Sequence, residues 1–132
     1  MRFTEHELTV ALTGAAKVVV AARRKDVRRG RADIDTVWDE MDRYQRFQIL
    51  DRLGAQLLPV LVALPDVPVE PGTAPSFTDD QVRETVESVV SDDTGRLRRA
   101  VEVTARTALV QSAVGHLPPR QDPDALTVPD HP

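Results

Sequence analysis

The chain has 132 residues, 17 Lys plus Arg against 21 Asp plus Glu for a formal net charge of −4, 41% hydrophobic residues, 4% aromatics and no cysteine. One core is expected, since a chain of this length buries about two-thirds of the surface it exposes when unfolded. Without Cys there are no disulfides, thiolate zinc sites, iron–sulfur clusters or cysteine nucleophiles.

Val18 to Ala22, an apolar run of five residues that no other exceeds, falls far short of the ~20 residues a bilayer span needs. Glu5 and Glu7 stand where the basic region of a signal peptide belongs. The expected location is therefore the cytoplasm, with no membrane contact.

The first helix is announced by Phe3, Thr4, Glu7 and Leu8, a capping box inside a hydrophobic staple. Stepping 100° per residue, Leu8, Ala11, Leu12, Ala15, Val19 and Ala22 form its apolar stripe, with Lys17 opposite. Gly30 is the expected C′ residue, preceded by cations that suit the negative end of the helix dipole.

Asp33 or Asp35 is placed to cap a second helix through Ile34, Val37, Trp38, Met41 and Tyr44. Pro59 is expected to interrupt or kink it, and Pro65 to end the short helical piece beyond that point. Residues 65–76 hold four prolines in twelve, which disfavours helix and leaves few N–H donors for a sheet, so an extended connector is expected.

Phe77, Thr78, Gln81 and Val82 repeat the staple and capping box, opening a third helix with Val82, Val86 and Val89 on its core face. The repeat invites a duplication, but such signatures recur wherever helices begin. Asp92 or Asp93 is placed to cap a fourth helix whose expected core stripe is Leu97, Val101, Thr104, Ala105, Ala108 and Ser112. Residues 118–132, with five prolines and three acids, read as a flexible tail. No strand alternation is present. The expected fold is all-α: about four helices as two bundle-like hairpins, 4–64 and 77–117, joined by the connector in a single domain spanning residues 1–117.

Three features bear on function. Arg23, Arg24, Lys25, Arg28, Arg29 and Arg31 place six cations beside one anion in nine residues. Arginine forks suit phosphates, so this segment is a candidate anion or nucleic-acid contact. The competing reading is a loop neutralised by Asp33, Asp35, Asp39, Glu40 and Asp42 just after it. Those acids are expected to make surface ion pairs, Asp39 with Arg43 and Asp42 with Arg46. Trp38, Tyr44 and Phe47 read as core aromatics.

The apolar face of the second helix changes sides. Ile34, Val37, Trp38, Met41 and Tyr44 centre near about −30°, whereas Phe47, Leu50, Leu53, Leu57 and Leu58 centre near about 160°. Gln45, Gln48 and Arg52 take over the first face. Either the helix breaks near Tyr44 to Gln48, or the second set faces another subunit, most simply a copy of the chain.

No histidine pair, serine motif or glycine loop marks catalysis, and no cofactor or metal is implied. The expectation is a binding protein: a self-associating interaction or regulatory module, a dimer through Phe47, Leu50, Leu53, Leu57 and Leu58. The alternative is a nucleic-acid-associated regulator using Arg23 to Arg31.

Overall fold

The computed structural model describes residues 1–91, 93 and 95–121. Among the described residues six helices follow one another: α1 (Glu5–Arg23), α2 (Lys25–Arg28), α3 (Ile34–Glu40), α4 (Arg43–Ala63), α5 (Asp79–Val89) and α6 (Arg96–Gly115). No strand forms among the described residues, and the fold is all-α. The four long helices α1, α4, α5 and α6 enclose one core of Ala11, Ala15, Leu53, Leu57, Val60, Leu61, Val82, Val86, Val103 and Val110. Helix α6 packs on each of the other three, and α3 lies against α1.

The capping chemistry is where the sequence places it. The Thr4 hydroxyl accepts from Glu7 N–H at 3.0 Å while Thr4 N–H donates to Glu7 at 2.9 Å. Thr78 and Gln81 do the same for α5, and Asp33 caps α3. Helix α6 differs from expectation: its N-cap is Gly95, at φ 68°, with no side-chain cap bond. Asp93 therefore does not cap it, and Asp92 lies outside the described residues.

Two helices break where one was expected. The first ends at Arg24, whose extended backbone separates α1 from α2. Arg24 then grips Asp26 with both arms of its fork, 3.1 and 2.8 Å, a pairing at i,i+2 that a continuous helix would not allow. The second breaks at Met41 and Asp42. Asp42 is extended and accepts from Tyr44 N–H at 3.0 Å, so it caps α4.

This break accounts for the change of apolar face, because α3 and α4 point their buried sides independently. It also separates Asp39 from Arg43 by a turn boundary, and neither expected ion pair, Asp39–Arg43 or Asp42–Arg46, forms. Helix α4 runs through Pro59 to Ala63. Pro59 and Ala55, whose carbonyl loses its donor, both face solvent, where water substitutes for the missing N–H.

Glycine has a packing reason at Gly14. A Cβ there would collide with the His116 ring, so the end of α6 crosses α1 closer than any side chain permits.

Residues 118–121 are not tail-like. Arg120 forms an isolated antiparallel bridge with Thr73 in the 65–78 segment, its N–H donating to Thr73 O at 2.8 Å. Its guanidinium reaches back to α1, donating through Nε to Glu7 Oε2 at 2.7 Å and through Nη2 to Glu7 Oε1 at 3.1 Å. Another Nη2 contact goes to Arg2 O at 2.8 Å, and the cation lies 5.9 Å from the Phe3 ring centroid. The Met1 ammonium donates to the carbonyls of Leu64 and Val62 at the end of α4. Expected tail residues from 122 onward lie outside the described residues.

Glu7 is only 5% exposed. Burial alone would push its carboxyl up, but the Arg120 hydrogen bonds, the Thr4 N–H and the neighbouring guanidinium charge outweigh it and hold the carboxyl below the usual range. A folded-state pKa below the unfolded one gives stability that is complete above the unfolded glutamate value of about 4.3 and is lost as pH falls through the folded value. Removing one partner of a buried pair typically costs about 3 kcal/mol, roughly 10 °C in a domain this size. Arg120→Ala, or truncation after Pro119 compared with truncation after Gln121, is expected to lower Tm by that amount. Glu7→Gln is expected to flatten the acid limb of stability against pH measured by thermal melts.

The hydroxyl of Thr107, on the buried face of α6, has no hydrogen-bond partner among the described residues. Thr107→Val keeps the shape and removes an unsatisfied buried oxygen, so chemical denaturation is expected to report a gain of about 1 kcal/mol.

Candidate functional site

The residues singled out for an intermolecular interface are largely claimed by the chain itself. Leu53 and Leu57 are buried, and Leu50 and Leu58 pack against the core. Only Phe47 remains in solvent, at 62% exposure, beside Tyr44 at 64%. The core reading holds for Trp38, which is buried, and fails for these two aromatics. The physical reason is the break at Met41 and Asp42: it turns the Leu face of α4 inward, onto α1, α5 and α6.

The apolar stripe expected to bury α6 is instead its outer face. The buried residues are Val103, Thr107, Val110 and Ala113, roughly opposite on the helical wheel. Leu97 is 83% and Val101 67% exposed, and Ala100, Thr104, Ala105, Ala108, Gln111 and Gly115 also face solvent. This face carries no charge over about 28 Å of helix, in a chain where 29% of residues are charged.

Its two ends differ. Arg96, Arg98 and Arg99 open α6, where the positive end of the helix dipole disfavours cations. At the other end Gln111 Nε2 donates to Asp79 Oδ1 at 2.9 Å, which places the acidic first turn of α5 beside the face.

A cleft of about 450 Å³ opens between α1, α4 and α6. Val19, Met41, Ile49, Leu53 and Leu109 form its apolar floor, and Gln45, Gln48, Gln56, Arg23 and Arg52 its polar walls. Met41, at the break, and Gln45 and Gln48, in the first turns of α4, bring to one wall the face that changes character in the sequence.

Of the basic segment, Arg24 is taken by Asp26, and each favours the other's charged form: hydrogen bonding to Asp26 raises the arginine pKa, and bonding to Arg24 lowers the aspartate's. Arg23 lines the cleft. Lys25, Arg28, Arg29 and Arg31 lie exposed in α2 and the turn after it, and make no ion pair among the described residues. The acids expected to neutralise them are in part engaged elsewhere: Asp33 and Asp42 cap helices, and Asp35 binds Lys17 at 2.9 Å.

No group of three or more metal-ligating side chains gathers among the described residues, and none of their helices is long and apolar enough to cross a membrane. No protein-family description, curated protein or solved structure matches the chain.

Arg120 is the residue that sequence reasoning missed. Its signal was slight: a lone cation in an acidic, proline-rich stretch, 113 residues from the glutamate it pairs with.

Proposed function

We propose that the protein is a non-catalytic helical interaction module that self-associates through the outer face of α6. The observation that supports this is the exposed, uncharged face headed by Leu97 and Val101. Its small residues let a second helix approach closely, at or below the usual 8–10 Å between axes.

An antiparallel two-fold pairing centred near Thr104 and Ala105 sets Arg96 and Arg98 of one copy beside the Gln111–Asp79 end of the other. The charges are then complementary, and the cations at the positive end of α6 gain anions across the interface. A single helix face buries less than the ~800 Å² per partner of a standard interface, so the dimer is weak and reversible. Sedimentation equilibrium is expected to show a monomer–dimer equilibrium at about 100 µM, weakened by salt. Val101→Asp, on an exposed site, is expected to abolish it with Tm unchanged. A wild type that stays monomeric at that concentration overturns the proposal.

A second reading rests on the exposed cations Lys25, Arg28, Arg29 and Arg31: contact with a nucleic-acid backbone. Each phosphate contact contributes about −0.9 to the slope of log affinity against log salt. Filter binding with duplex DNA at low and moderate salt tests it, and binding unchanged when Arg28, Arg29 and Arg31 become Ser removes it.

A further inference from the structure

We infer that the cleft between α1, α4 and α6 binds a small amphiphile with a carboxylate head, of the alkanoate class, independently of self-association through α6. Its volume of about 450 Å³ lies within the 300–1,000 Å³ of small-molecule sites. The lining divides as such a ligand requires. Val19, Met41, Ile49, Leu53 and Leu109 offer a continuous apolar floor with no aromatic side chain for stacking a base. Arg23 and Arg52 supply two cations, and no acidic residue lines the cleft to neutralise them.

Neither arginine has an ion-pair partner among the described residues, although the chain as a whole is acidic. Elsewhere among the described residues carboxylates hold arginines in four pairs: Arg24 with Asp26, Arg83 with Glu87, Arg106 with Glu102 and Arg120 with Glu7. Arg23 and Arg52 are two arginine forks facing one apolar space. A guanidinium matches a carboxylate with two parallel hydrogen bonds, and a glutamine amide one helical turn from Arg52 can donate to the same head group.

Position along the helices supports an elongated ligand. Gln45 and Gln56 lie eleven residues apart on α4, a wall about 16 Å long. An alkyl chain along that wall covers the partly buried Ile49 and Met41, which pack against the core from the cleft side.

The test uses the full chain with decanoate as probe, decanol as the uncharged comparator and decyltrimethylammonium as the cationic one, followed by amide NMR shifts and calorimetry. Decanoate is expected to bind and to shift the side-chain amides of Gln45, Gln48 and Gln56, with decanol at least about tenfold weaker and the cation not binding. Arg23→Gln and Arg52→Gln are each expected to weaken decanoate about tenfold while leaving decanol and Tm unchanged, since both arginines are exposed. Equal affinity for decanoate and decanol, shifts confined to residues outside the cleft, or full decanoate affinity in both variants would overturn the assignment. Val101→Asp is expected to bind decanoate as the wild type does, so failure of the dimer and failure of this site are distinguishable.

Discussion

The carboxylate of Glu7 is asked to do two things in a buried place, and the fold closes around its doing both. It caps α1 through Thr4 N–H, and it accepts both arms of Arg120 from the far end of the chain. A buried carboxylate without partners would be costly. With its acceptor sites filled it fixes Arg120, whose backbone bridges Thr73 and whose cation covers Phe3. The N-terminus, the segment between α4 and α5, and the residues after α6 are thereby held at one pole. The Met1 ammonium adds to this by meeting the carbonyl end of α4, where the dipole favours a cation.

With that pole closed, the four long helices share one core and their outer faces are left to solvent. The outer face of α6 and the cleft beside Arg23 and Arg52 differ in chemistry. One is an exposed, uncharged helix face; the other is concave, with an apolar floor and arginine walls. Such surfaces suit different occupants, a helix for the first and a small anion with an apolar body for the second.

Much of the helical architecture was legible because it is written locally. The capping boxes at Thr4 and Thr78 and the 100° stripe of α1 each depend on neighbours within a few residues. The jump in apolar face between Met41 and Phe47 was legible as an anomaly, but its resolution was not. Asp42 reads equally well as an ion-pair partner within a helix or as the cap that starts a new one. The outer stripe of α6 misled for a related reason. Leu97, Val101 and Ala108 make a plausible core face, yet Val103, Val110 and Ala113 make another, and only packing on α1, α4 and α5 selects between them. Arg120 and Glu7 were beyond any local pattern, since their pairing is set by closure of the whole chain. The basic segment was visible by composition, while the separation of Arg23 from Arg24 came from a break that no glycine or proline marks.

The claim that the outer face of α6 meets a copy of itself is tested most directly by disulfide trapping, for which a cysteine-free chain is well suited. Thr104→Cys lies at the centre of the proposed two-fold and in the middle of the exposed face, where equivalent Cα atoms would fall within the roughly 4.4–6.8 Å that a disulfide spans. Ala55→Cys, exposed on α4, lies away from that axis. Mild oxidation is expected to convert the Thr104→Cys protein to a covalent dimer much faster than the Ala55→Cys protein. Equal rates for the two, or a preference for position 55, would contradict the account.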